Sequence, residues 1–270
     1  MYSQILSQRA NSIGIILALL VLFSVGCNAL SKSTPTPTLT PAPPVALSIP
    51  GIVLYYPFNG DANDMSGNQN NGQVSGAVLT TDRFGIPNHA YYFDGVDDSI
   101  SFDTSQMPVG ASPRTISAWI KADSFPPAPE NFKSLGSRAT IIGWGKDNEI
   151  QLSEMHIVDN RLTFHNYNKD RVGNGVVELN KWYHLVIVYT EQEIILYING
   201  IKEEFDSSPL NTMNGVGRIG AFCDPTVKSQ LFPNGYDLSY FHGVIDDITV
   251  YRRALTYEQI ISLYNEGGWK

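Results

Sequence analysis

Residues 193–205 read EIILYINGIKEEF, and this stretch decides the class of the fold. Five consecutive β-branched, leucine or aromatic residues, Ile194 to Ile198, run into Asn199-Gly200. That dipeptide supplies the two positive-φ residues of a type I′ turn, and a second run leaves it, so the stretch predicts a β-hairpin. Working outward, similar short runs recur at Ile52–Tyr56, Ala90–Phe93, Ser99–Phe102, Thr115–Lys121 and Ala139–Trp144. Others are Arg161–His165, Tyr183–Tyr189, Arg218–Phe222 and Gly243–Tyr251, with Gly, Pro, Asn and Asp between them. A single segment reads as helix. Thr256 can cap it, Gln259 follows at capping-box spacing, Leu255, Ile260, Ile261 and Tyr264 give it an apolar face, and Gly267-Gly268 stop it. Many short strands with one C-terminal helix predict an all-β sandwich.

Charge narrows the partners. The chain has 18 Lys+Arg against 26 Asp+Glu, and before residue 50 only Arg9 and Lys32 are charged. The acidic body that follows repels phosphate backbones, which excludes nucleic acid as a partner. It suits neutral ligands, and calcium wherever carboxylates converge. Two cysteines, Cys27 and Cys223, are too few for a disulfide framework once Cys27 has another fate.

The apolar run Ile13–Val25 is short for a membrane span and has the length of a signal-peptide core. It ends in Ser24-Val25-Gly26-Cys27, which resembles the lipobox of bacterial lipoproteins. The resemblance implies cleavage before Cys27 and acylation of its thiol and new amino terminus, hence anchoring in a membrane. The other reading is an ordinary secretory signal, or an uncleaved anchor with a free Cys27. Ser31–Pro44 is dominated by Pro and Thr and reads as an extended spacer. The predicted organisation is a signal peptide over 1–26, a lipidated cysteine and linker over 27–48, and a folded domain over 49–270. The predicted location is the bacterial cell envelope, facing outward, on the outer membrane in a Gram-negative cell.

Within the domain, an ordered set of motifs resembles one family. Residues 56–67 (YPFNGDANDMSG), 92–98 (YFDGVDD), 116–120 (ISAWI), 182–184 (WYH), 196–200 (LYING) and 243–251 (GVIDDITVY) follow the order of LamG-like jellyroll domains. The resemblance implies the concanavalin A-like lectin/glucanase sandwich: two antiparallel sheets, one concave and one convex. That fold carries lectins, glycan-binding modules, glycosidases and protein-binding modules, so the site has to decide between them.

Laminarinase-type members carry Glu-x-Asp-x-x-Glu on a concave strand, where two carboxylates divide nucleophile and acid/base roles. Asp147, Glu149 and Glu154 are the nearest acidic trio here, and their spacing differs. Their stretch reads more plainly as a solvated loop and an edge strand. His156 and His165 have no serine or cysteine motif to activate. The chain therefore reads as non-enzymatic.

Resemblance also suggests two calcium sites. Asp247 looks like the final-strand Asp that holds a structural calcium on the convex side of glucanases, completed by carbonyls of the first strand and of Phe93-Asp94-Gly95. Asp147 and Asn148, with Asp224, fall where pentraxin relatives bind calcium, although Phe222 and Cys223 stand where further oxygen ligands are expected. Ordinary Asn/Asp turn chemistry is the alternative at each place. For sugar stacking, Trp144, between Gly143 and Gly145, is the candidate exposed platform, with Phe164 and Tyr167 lining the same groove. Trp119 alternates with Ser117 and Lys121 on a mixed surface, but it and Trp182 occupy packing positions in the family. The sequence reading is thus a lipid-anchored binding module for a glycan or polysaccharide. A protein-adhesion module for a surface or matrix protein is the runner-up, and a glucanase-type glycoside hydrolase the third reading.

Overall fold

The computed structural model describes residues 44–126, 138–146, 148, 150–166, 170–207, 209–222 and 239–269. They form two antiparallel sheets. The eight-stranded sheet contains β1 (Ile52–Tyr56), β3 (Val78–Thr80), β4 (Ala90–Asp94), β6 (Arg114–Ser124), β11 (Trp182–Tyr189), β12 (Glu193–Ile198), β13 (Ile201–Ser207) and β15 (His242–Tyr251). The seven-stranded sheet contains β2 (Gln73–Ser75), β5 (Ser99–Phe102), β7 (Arg138–Gly145), β8 (Leu152–Val158), β9 (Arg161–His165), β10 (Arg171–Val176) and β14 (Val216–Ile219). Its strand order is β10-β9-β8-β7-β14-β5-β2.

Residues 193–205 form the β12–β13 hairpin, and Asn199 and Gly200 both take positive φ, at 50° and 76°. Between the sheets lies the main core, which includes Ile120, Leu185, Ile187, Leu196 and Ile245 from one side. Ile100, Ile141, Ile142, Met155, Leu162 and Phe164 face them from the other. These are the inward halves of alternating strands, as sandwich packing requires.

A second layer covers the outer face of the eight-stranded sheet. Helix α2 (Tyr257–Tyr264) starts in the predicted capping box of Thr256 and Gln259. It buries Ile260 and Leu263 against Val186, Val188, Tyr197 and Tyr251. The folded domain begins before residue 49: α1 (Val45–Ser48) is a helical turn whose Ala46 joins this layer. Val45 N–H donates to Glu266 at 2.7 Å, and Tyr251 Oη donates to the Ala46 carbonyl. The predicted linker therefore gives its last residues to the fold. No helix among the described residues is long and apolar enough to cross a membrane.

Candidate functional site

The outer face of the seven-stranded sheet carries no helix among the described residues, and its side chains follow from strand register. Gln73 pairs with Ser101, Ser101 with Arg218, Arg218 with Gly143, Gly143 with Glu154, and Glu154 with His165. Residues directly opposite one another share a face. A row of polar side chains, interrupted only by a glycine, thus runs from β2 to β9.

At the β2 end the row opens into a groove of about 400 Å³, lined by Asn68, Gln69, Gln73, Ser101, Asp103 and Gln106, among others. The loop that shapes it is held from within. Asp64 is buried and accepts N–H groups from Tyr55, Ser66 and Asn70. Asn70 in turn exchanges two hydrogen bonds with the backbone of Asp103. Gln69 is a non-glycine residue at φ 59°, in the left-handed region. The amides of Gln69, Gln73 and Gln106 are exposed and, in contrast to Asn70, are not spent on the framework.

At the other end the row is buried. Glu154 and His156 are both 0% exposed, and His156 Nε2 lies 2.9 Å from Glu154 Oε2. His165 Nδ1 lies 2.7 Å from Asp170 Oδ1, with Arg138 at 3.8 Å from the other carboxylate oxygen. The two imidazoles meet edge to face at 5.1 Å, and the ring of Phe222 lies against both. Burial lowers the proton affinity of His156, an effect that Glu154 opposes. Burial works against the Asp170 carboxylate, but His165 and Arg138 hold it below the usual carboxylate range. Gly143 makes room for this arrangement, since a Cβ there would sit 2.2 Å from Glu154 Cγ.

Several expected positions change place. Trp144 is fully buried, so it is no exposed platform, and its Nε1 donates to the Pro108 carbonyl at 3.0 Å. The reason is a bulge in β7 between Thr140 and Ile142, where the register against β8 shifts by one residue. Strict alternation from Ala139 would send Trp144 outward; the bulge reverses the phase and puts Gly143 outside instead. Phe164 is also fully buried, on the inner face of β9. Tyr167, Asp147, Glu149, Cys223 and Asp224 lie outside the described residues, as does Cys27. Asn148 is exposed, and its N–H donates to the Lys146 carbonyl. Glu154 and His156, taken with the edge-strand reading, instead lie on β8, which is internal to its sheet. The signal that could have found the cluster is the spacing Glu154-x-His156 beside Thr163-x-His165, two period-2 polar faces on neighbouring strands.

Trp119 is 2% exposed, under the helix-capped face, where it stacks on Tyr264 and meets Trp269 edge to face. Trp182 is half-buried. Asp247 does not offer a free carboxylate to a metal: Arg83 Nη1 lies 2.6 Å from its Oδ2. The donor set at this place therefore does not fit calcium, because a guanidinium already occupies it. The carboxylates of Asp94, Asp97 and Asp98 come within 4.8 Å of one another. Two of them accept N–H groups of their own turn, Asp98 from Asp94 and Asp94 from Val96, which is ordinary Asx chemistry.

Residues 94–261, more than half of the chain, match the laminin G-type family profile of the concanavalin A-like lectin/glucanases superfamily. The chain belongs to that superfamily. It is 31% identical to human usherin over 91 residues, which are 34% of this chain and 2% of usherin. Among solved structures it resembles domain 4 of AbnA, a GH43 extracellular arabinanase from Geobacillus stearothermophilus, in complex with arabinotriose. The TM-score is 0.59 at 19% identity, covering 79% of this chain and 98% of that domain. The binding domain of Paraclostridial Mosquitocidal Protein 1 gives 0.59 at 20% identity, and the receptor-binding domain of botulinum neurotoxin D gives 0.56 at 17%. Both cover 80% of this chain, which spans 52% of each of theirs. The latter two are named as binding domains, and at such identities all three establish the fold alone.

Proposed function

We propose that this superfamily member is a non-catalytic binding module for a neutral glycan, held at the groove of Asn68–Gln73 and Ser101–Gln106. The observation that carries the reading is the row from Gln73 to His165, whose open end presents amides with no task in the framework. Amide groups both donate and accept, which matches the paired donor and acceptor character of sugar hydroxyls. The groove's volume lies within the range of small-molecule sites. The arabinanase domain of the same fold holds arabinotriose, a ligand of the proposed class. In this reading Cys27 carries the lipid, residues 28–43 space the domain from the envelope, and Asp147, Asn148 and Asp224 hold a calcium ion.

The test is a panel of neutral and acidic polysaccharides offered to the full-length protein in detergent, in calcium and again in EDTA. Binding to a neutral polysaccharide is expected, and Gln73→Ala with Gln106→Ala should weaken it about tenfold or more, since each net hydrogen bond is worth roughly 0.5–1.5 kcal/mol. Loss in EDTA would support that calcium. Binding to no glycan, with capture of a purified matrix protein instead, would replace this reading by adhesion.

A further inference from the structure

Strand β15 changes partner in mid-course. Its residues 242–245 pair with β4 and its residues 248–251 pair with β1. Between them the register against β6 shifts, and Asp247 takes φ 44°. Consecutive strand residues ordinarily face opposite ways. Here the irregular backbone brings two consecutive carboxylates to one cation. Arg83 Nη1 lies 2.7 Å from Asp246 Oδ2 and 2.6 Å from Asp247 Oδ2.

The manner of the contact is informative. Arginine usually offers a carboxylate two nitrogens in a fork. Both contacts here come from a single nitrogen, and Arg83 Nε is buried without a partner. The guanidinium is used as a point charge, as a metal ion would be. Its side chain is 2% exposed, with its carbon 4.7 Å from the Trp119 ring and 4.4 Å from that of Phe84. Tyr55 Oη donates to Asp247 Oδ1 at 3.3 Å, completing a small shell of hard oxygens. One positive charge faces two carboxylates. A divalent ion would neutralise both.

We propose that Arg83 is this domain's resident cation, at the place where the resemblance of Asp247 suggested a structural calcium. The helix-capped face then binds no metal, and removing the arginine side chain opens a divalent-cation site made by Asp246, Asp247 and Tyr55. The inference is independent of what the opposite face binds.

The test uses the full-length protein in detergent, with terbium as the probe and calcium as its competitor. Arg83→Ala should gain terbium luminescence sensitised through Trp119, displaced by calcium and lost in Arg83→Ala/Asp247→Asn. Wild type should show no cation response that Asp247→Asn removes. A second comparison holds if Arg83→Ala does not fold. Because one nitrogen makes both contacts, Arg83→Lys should retain most of the melting temperature while Arg83→Gln loses roughly 10 °C. An Asp247-dependent calcium or terbium response in wild type overturns the proposal. So does a folded Arg83→Ala without such a response, or Arg83→Lys melting as low as Arg83→Gln.

Discussion

The two outer faces of the sandwich solve opposite problems. The eight-stranded sheet is capped by α1 and α2, and the cap consumes Trp119, which lies among His184, Tyr264 and Trp269. The seven-stranded sheet has no such lid among the described residues and carries amides, a serine, an arginine and a carboxylate–histidine cluster instead. Each face buries charge. On the capped face a guanidinium settles two carboxylates; on the other, imidazoles settle Glu154 and Asp170. The difference teaches that an aromatic residue on an outer strand face is evidence of a ligand platform only where no helix claims that face.

The largest expected effect breaks the capped face. Trp119→Ala removes a buried indole from three ring contacts and from beneath Arg83, and large-to-small changes of this kind cost about 3–5 kcal/mol. Urea melts should show that loss, while the polysaccharide panel, corrected for the folded fraction, keeps its affinity. An equal loss of affinity would mean that the two faces are not separate in function.

Acid should act next, again through the capped face. His184 is fully buried, with Nε2 at 2.8 Å from Ser117 Oγ and Nδ1 without a partner. Burial, reinforced by Arg83, pushes its pKa down to about 3. A histidine whose folded pKa lies below its unfolded value of about 6.5 is held neutral by the fold. Its contribution is complete above pH 6.5 and is lost as the pH falls toward 3. Between pH 7 and pH 4.5, wild type should therefore lose about 2–3 kcal/mol relative to His184→Gln. Asp246 and Asp247, whose proton affinities are raised chiefly by burial, act with the opposite sign, and His156 acts with the same one. All three are present in both proteins, so urea melts of the pair at the two pH values isolate His184. Parallel pH curves would show that His184 is solvated.

Much of the fold was legible because it rests on local rules. Asn199-Gly200 fixes one hairpin, Thr256 and Gln259 fix the helix start, and most strands begin and end within a residue or two of where composition placed them. Both faces were harder to read, because long-range pairing decides them. The phase of Trp144 depends on a bulge near Thr140, which no residue type announces. Asp247 resembles a metal ligand in its own motif, but its partner Arg83 lies far away in the chain, in a loop that carries no matching signal. By sequence the stretch 146–156 reads as a solvated loop and an edge strand, whereas β8 is an inner strand that buries Glu154 and His156. Their burial follows only when β7 and β9 are set on either side of it.

The smallest effect sharpens the open face, at the one glycine of its cross-sheet row. Gly143 stands between Arg218 and Glu154 in the cross-sheet row, and an added Cβ would fall 2.2 Å from Glu154 Cγ and 2.6 Å from its Oε1. The backbone at Gly143 is not among the positive-φ positions, so alanine meets no conformational strain there and the whole effect is steric. Glu154 cannot yield freely, because His156 holds its carboxylate and the site is buried. Overpacking of this kind typically costs about 1–3 kcal/mol. Gly143→Ala should cost about 1–2 kcal/mol in a urea melt, because the displaced group is a side chain but one that is buried and held. The informative readout is the polysaccharide panel. If the row acts as one surface, a carboxylate displaced from above Gly143 should change affinity at a groove two strands away, and Glu154→Gln should share that phenotype without the steric cost. If the groove works alone, Gly143→Ala lowers stability and leaves binding untouched, and the site contracts to the amides of Gln69, Gln73 and Gln106.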